Sequence, residues 1–512
     1  VFFQIWYRIL NQFGLLNSVH FSKQDLLLGT DFFAIPFIVP TPKYSEGNTF
    51  QFLNLSKSFE GSINWNEQEY GKLWNYNLQY LDCINQSDIT KDTALSIIAS
   101  FCQALQLGII QNEPYPASLR IFNLIKFIHR TNQDNAIVTK LLFQQIQYLN
   151  THKEYHILGN HLLENAFALV AAALVTQNKQ LYNSASQLLL TELDEQILED
   201  GAHFERSAMY HCILLERLLD CISLLEKNNT NQTKPFKEFL VKKAELMLGW
   251  LKVICFQNGD IPLFNDAAYG ISAQPKELFN YALKLQLQPI TIQLNESGYR
   301  KFCSAHFETI IDVCGIEPSY QPGHAHADST SFICYVKQLP FLVETGTSTY
   351  QIGAVRSNER SSAAHNVVVV NQTNSADVWG GFRVGKRPLV TIKSETEQTI
   401  CLTHNAYRKF GVKQFQRQFQ LSNQLIILDE VRASKPLHSV IAYFHFHPSV
   451  LPQLDVQKLI INTSVADLNF EGASKIELES YPYAEAFNQT QPALRAKVHF
   501  QTKLQTIISI KP

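Results

Sequence analysis

Apolar positions recur at helical intervals from about Trp65 to Leu287, then give way to short alternating runs after about Gly298. Leu95–Phe101, Leu162–Val175, Ile213–Leu225 and Phe239–Ile254 are apolar-rich stretches suited to helices. Polar breaks separate them at Asn132-Gln133-Asp134-Asn135, Asn178-Lys179-Gln180 and Asn228-Asn229-Thr230-Asn231. Helices in series with short breaks predict helical hairpins arranged as a bundle, an arc or a toroid. Further on, Val367–Val370, Leu402–His404, Gln418–Leu421, Leu425–Leu428 and Val440–His447 read as strands. No regular alternation with crossover helices is visible, so an antiparallel sheet, in a sandwich, is expected. Helices first and strands afterwards imply separate domains. The expected division is an N-terminal segment over 1–60, marked by Pro36, Pro40 and Pro42, a helical domain over 61–295 and a β-sandwich domain over 296–512.

Composition narrows the classes. With 512 residues, 46% of them hydrophobic and 17% charged, the chain reads as globular and multidomain. A formal net charge of −2 gives no overall field for nucleic acid or an anionic membrane. The nine cysteines form no C-x-x-C pair, which argues against a disulfide framework or a zinc ribbon. No apolar run approaches the ~20 residues of a membrane span. The opening Val1-Phe2-Phe3-Gln4-Ile5-Trp6-Tyr7-Arg8 lacks the basic start and small-residue cleavage site of a signal peptide.

Four stretches carry candidate chemistry. Gly323-His324-Ala325-His326-Ala327-Asp328 leads into the apolar run Phe332–Val336, which reads as a strand entry. On a strand, residues two apart share a side, so His324, His326 and Asp328 would project together and could supply a metal ligand and a general base. A solvated face is the competing reading of this run alone. Gly159-Asn160-His161-Leu162-Leu163-Glu164-Asn165 stands directly before an apolar helix, where Asn160 suits an N-cap but His161 has no such explanation. In Gly201-Ala202-His203-Phe204-Glu205-Arg206-Ser207-Ala208-Met209-Tyr210-His211, a helix would set Arg206 one turn before Tyr210, favouring phenolate. An ordinary packed pair is the alternative. Arg356 to His365 forms a basic loop before a strand, and Trp379-Gly380-Gly381-Phe382-Arg383 mixes aromatic and cationic groups as sugar-acid sites do. Solvated surface loops share both patterns.

Taken together and in this order, the four motifs resemble the heparinase II/III-like polysaccharide lyases, which include heparin, heparan sulfate and some alginate lyases. Leu73-Trp74-Asn75-Tyr76-Asn77-Leu78 and Tyr115-Pro116-Ala117-Ser118-Leu119-Arg120 are similar to the heparinase III-like branch. The resemblance implies an incomplete α/α toroid followed by an antiparallel β-sandwich. It also implies β-elimination of a uronic-acid polysaccharide, heparan sulfate or heparin-like or a related acidic glycan, in a periplasmic or secreted setting. By the same resemblance Asn160 meets the substrate carboxylate with His161 beside it, Tyr210 is base or acid, and His324 supports or shares the proton transfer. Glu164, Arg206, His211, Arg360, Trp379 and Arg383 are the expected substrate contacts. His326 and His365 resemble the family's metal ligands, with Glu344 where the family commonly has Asp. Two His and a carboxylate favour one zinc ion over calcium. Two other classes remain open: a glycoside hydrolase on an α/α toroid, with Glu164 and Glu205 as its carboxyl pair, and a non-catalytic acidic-glycan-binding protein.

Overall fold

The computed structural model describes residues 29–511. The opening Val1–Arg8, and the part of the N-terminal segment before residue 29, lie outside the described residues. The rest of that segment carries a small antiparallel sheet of Tyr44–Ser45, Thr49–Phe52 and Leu55–Ser58. Helices follow: α1 (Lys72–Tyr80), α2 (Lys91–Gln106), α3 (Pro114–Thr131), α4 (Ala136–Thr151), α5 (Gly159–Thr176), α6 (Lys179–Gln196), α7 (Ala208–Lys227), α8 (Lys234–Ile254) and α9 (Pro275–Lys284). The polar breaks act as caps. Asn135 accepts from the backbone of Ile137 and Val138 to start α4, and Asn178 accepts from Leu181 N at 2.9 Å to start α6. Helix α5 is buried on nearly every side and packs against both α3 and α6. Its run of Ala, Leu and Val suits a helix enclosed by others.

Two compact units result. The first comprises the residues up to Ile197 with Ile213–Leu248 and Lys276–Pro289; the second comprises Leu198–Cys212, Gly249–Pro275 and the residues from Ile290 on. In the second unit, Tyr299–Cys303, Phe307–Asp312, Phe332–Val336 and Leu339–Leu342 form a four-stranded antiparallel sheet. A larger antiparallel sheet runs Val390–Glu395, Thr399–His404, Val412–Leu421, Gln424–Ala433, Gln489–Ile510, Ala466–Ala486, Ile460–Asn462 and Gln453–Asp455. Val440–His445 also pairs with Gln489–Ile510, and Val368–Val370 pairs with Val440–His445. Alternating inward residues such as Phe415, Phe419, Ile427 and Val431 fill one apolar core with Phe332, Phe341 and Phe444.

The two longest strands bend at a bulge. Between Glu471 and Ala473 the register with Gln489–Ile510 shifts, leaving Gly472 at φ 91°, where a Cβ would lie 2.5 Å from Lys503 O. Only glycine fits that close approach.

One ion pair ties the sheet to the loops beside it. Arg417 Nε and Nη2 donate to Asp429 at 2.7 and 3.1 Å, while Nη1 donates to Thr330 O at 3.1 Å and Asn366 O at 2.6 Å. Both charged side chains are fully buried. Replacing Arg417 with Leu would strand the Asp429 carboxylate, a change that typically costs about 3–5 kcal/mol. Urea denaturation of Arg417→Leu should show a loss of that size, and an unchanged midpoint would refute the assignment.

Candidate active site

Asp266 anchors the polar centre of the second unit. It follows Asn265, at φ 58°, in the turn after Pro262-Leu263-Phe264, and it is fully buried. Its Oδ2 accepts from His324 Nδ1 at 2.9 Å and Arg356 Nη2 at 2.6 Å; its Oδ1 accepts from His326 Nε2 at 2.9 Å and from Arg356 Nη1. Burial pushes the Asp266 carboxyl up, but Arg356 and the two histidine hydrogen bonds outweigh it and hold it well below the usual carboxylate range. An ionised carboxylate only accepts, so His324 Nδ1 carries the hydrogen and the lone pair of the neutral ring lies on Nε2. The His324 ring lies against Tyr210, tilted by 38° with 4.3 Å between centroids, and the Tyr210 and Tyr350 hydroxyls meet at 3.1 Å.

Several expectations change here. The strand starts at Phe332, so His324, His326 and Asp328 lie in the loop before it and do not share a strand face. The two histidines converge on Asp266, whereas Asp328 is buried elsewhere, its carboxyl pushed up to about 6 by burial. Arg206 is not helical: it sits at φ 56° just before α7 and sends its guanidinium to Gly315 O at 3.2 Å and Glu296 O at 3.1 Å. Tyr210 is therefore not drawn toward phenolate. Burial and the neighbouring Tyr350 hold its hydroxyl well above the ordinary tyrosine value, so it keeps its proton.

Among the expected substrate contacts, Trp379 is 47% exposed and Arg383 is also exposed. Arg360 is buried and donates to Ala325 O, and His211 is buried against Trp250. Both are enclosed by protein in this structure.

The metal ligands expected from the resemblance do not converge. Glu344 pairs directly with His365 Nδ1, His326 Nε2 is committed to Asp266, and the two imidazole centroids lie 5.3 Å apart. His365 Nε2 is a buried nitrogen with no hydrogen-bond partner, yet among the described residues no three His, Cys, Asp or Glu side chains stand where they could hold a metal. With Glu344 paired to His365 Nδ1 and His326 Nε2 bonded to Asp266, the three expected ligands do not stand as one zinc shell.

In the first unit, Asn160 lies in the first turn of α5 and is buried; Leu158, at φ 67°, holds the N-cap position instead, with no side-chain cap. His161 Nδ1 meets Glu154 Oε1 at 3.0 Å, and its ring lies 4.4 Å from that of Tyr115. Asn165 fixes Glu154 twice, donating to Oε2 at 3.0 Å and accepting from the Glu154 backbone at 2.8 Å. Glu164, expected at the substrate, is fully buried, with Arg217 Nε at 3.5 Å and no hydrogen bond to either oxygen. Asp266, Tyr350 and Glu154 escaped the sequence reading. None stands at a telling spacing from a partner, and only an acid beside a histidine, as at Glu154 and His156, hints at a pair.

Residues 53–289 match the family Heparinase II/III N-terminus, and residues 289–511 match Heparinase II/III-like, C-terminal. The chain belongs to the heparinase II/III family. Heparin-sulfate lyase of Pedobacter heparinus is 24% identical over 261 residues, 45% of this chain and 38% of that protein. Heparin-sulfate lyase of Bacteroides thetaiotaomicron is 30% identical over 118 residues, 21% of this chain and 17% of that protein. The chain thus spans well under half the length of the curated relatives it matches. The crystal structure of a heparinase III superposes with a TM-score of 0.68 at 16% identity, covering 88% of this chain and 80% of that one. The fold is accordingly an incomplete α/α toroid followed by an antiparallel β-sandwich.

Burial raises the Glu164 carboxyl from 4.5 to about 7, against the opposing pull of Arg217. The folded state then holds this proton more tightly than the unfolded chain does. The stability it contributes is complete below pH 4.5 and lost as pH rises through about 7. Urea midpoints across that window should therefore fall less steeply for Glu164→Gln than for the wild type; equal slopes would count against the buried acid.

Proposed function

We propose that the protein is a polysaccharide lyase that cleaves a uronic-acid-containing polysaccharide by β-elimination, heparan sulfate or heparin-like or a related acidic glycan. The observation that carries this reading is His324, oriented by an ionised Asp266 and packed, ring centroids 4.3 Å apart, against a Tyr210 that keeps its proton. Elimination needs both roles at one sugar junction. In the proposed step His324 Nε2 takes the C5 proton, the C5–H electron pair becomes the C4–C5 double bond, and the C4–O4 bond breaks. The Tyr210 hydroxyl protonates the departing O4, and Tyr350, in contact with it at 3.1 Å, is placed to relay a proton back. Asn160 is assigned to the C5 carboxylate, because an amide donates hydrogen bonds without taking the proton and so makes that carbon more acidic. His161, with Nδ1 held by Glu154, stands one residue further on.

The family and the names of its curated relatives support an acidic glycan as substrate; the periplasmic or secreted setting is proposed from the family resemblance alone. No helix among the described residues is long and apolar enough to cross a membrane. Glu164 and Glu205, the carboxyls a hydrolase would use, are both buried within their own units. That disfavours a pair flanking a glycosidic bond.

A panel of uronate polymers tests the reading by ultraviolet absorbance of the new double bond alongside reducing ends. Reducing ends without absorbance would mean hydrolysis. On the polymer that is cleaved, Tyr210→Phe should lose ~10²–10⁴-fold in turnover while staying folded. The same variant should still exchange the C5 proton with heavy water, since the base remains, whereas His324→Gln should lose exchange and product together. Exchange abolished by Tyr210→Phe but kept by His324→Gln would reverse the two roles.

A further inference from the structure

Arg356 takes no part in the proton transfers above, yet it is buried and joins two parts of the second unit. One side of its guanidinium grips Asp266. The other reaches a carbonyl: Nε and Nη2 donate to Gly381 O at 3.1 and 3.0 Å. Gly381 lies at the tip of a hairpin in which Val378–Trp379 pairs with Arg383–Val384. Its φ is 78°, and a Cβ there would come within 3.3 Å of Ile352 Cγ1, so the tip fits closely over its support. Phe382 at the tip is 41% exposed and meets the rings of Tyr350 at 5.3 Å and His324 at 6.0 Å; Trp379 is exposed beside it.

Hairpin carbonyl, Arg356, Asp266 and His324 therefore form one unbroken series of charge-assisted hydrogen bonds. A guanidinium is a rigid planar fork, so movement of Gly381 O cannot be absorbed without turning the donors on Asp266. The Asp266 oxygen that takes Arg356 Nη2 is also the one that takes His324 Nδ1.

We propose that Arg356 is a positioning residue that couples this hairpin to the imidazole of His324, so that a sugar ring of the polymer resting on Trp379 and Phe382 sets the rate of reaction as well as affinity. Aromatic faces next to reacting groups suit the C–H face of a pyranose, and the coupling makes occupancy of that face a condition for His324 to point correctly. The rate consequence rests on the lyase reading; the mechanical coupling does not.

Arg356→Lys keeps a cation for Asp266 but cannot span both acceptors, and Gly381→Ala disturbs the same path from its far end. On a cleaved polymer each should lower kcat about 10–100-fold with KM changed less than about threefold. Trp379→Ala should also lower kcat, and should add little in the Arg356→Lys background, because coupled residues are not additive. Nitrogen-15 histidine spectra give a readout without substrate: the His324 signals, identified by their loss in His324→Gln, should shift in both Arg356→Lys and Gly381→Ala. If they shift while no polymer is eliminated, the coupling stands and the lyase reading fails. Should the polymer be cleaved while Gly381→Ala leaves kcat and the His324 signals unchanged, the coupling is wrong. A rise in KM alone, or strict additivity with Trp379→Ala, overturns it equally. Where Arg356→Lys fails to fold, Gly381→Ala carries the test.

Discussion

An ionised carboxyl removed from water costs several kcal/mol unless donors fill its lone pairs. Asp266 meets that condition with Arg356, His324 and His326, and each donor is constrained in return. Arg356 cannot leave without stranding the carboxylate, the tautomer of His324 is set, and Nε2 of His326 is taken up by Asp266. The orientation of the proposed base, the fate of the expected metal ligands and the seating of the 378–384 hairpin are consequences of one buried charge.

The first unit repeats the device on a smaller scale. Glu154, buried and held by Asn165, presents its carboxyl to His161 Nδ1 as Asp266 does to His324. Helices that carry the proposed reacting groups also begin in a common way. Leu158 precedes Asn160 and Arg206 precedes Tyr210, and both sit at positive φ, where a residue with a side chain is strained by ~1–2 kcal/mol. Arg206 is held there because its carbonyl accepts from Asn265 and from Tyr299, at 3.1 and 2.7 Å. Strain of this sort persists only where surrounding bonds over-determine it, and here it fixes the angle at which each helix enters.

Much of the architecture was legible because burial imposes periodicity. The apolar runs at Leu162–Val175 and Phe239–Ile254 became α5 and part of α8, and the run at Val440–His447 became a buried strand over Val440–His445. The site was legible only in part. His324 and Tyr210 stood out through motif order, but Asp266, the partner of His324, lies far from both in the chain, beside no pattern that would mark it. Arg206 misled for a related reason: four residues before Tyr210 means adjacency only inside a helix, and α7 starts two residues too late. Glu344 differs from the family's usual Asp by a methylene, and a sequence does not reveal that the longer stem reaches His365 directly.

The long strand Gln489–Ile510 pairs with Ala466–Ala486 along one edge and, in turn, with Val440–His445 and Gln424–Ala433 along the other. It is thus the middle of the large sheet, although it is the last of the described strands to be synthesised. On the ribosome, Gln424–Ala433, Val440–His445 and Ala466–Ala486 each keep a hydrogen-bonding edge open until this segment emerges. The sheet is assembled outside in, and its edges need protection during synthesis that the finished protein no longer requires.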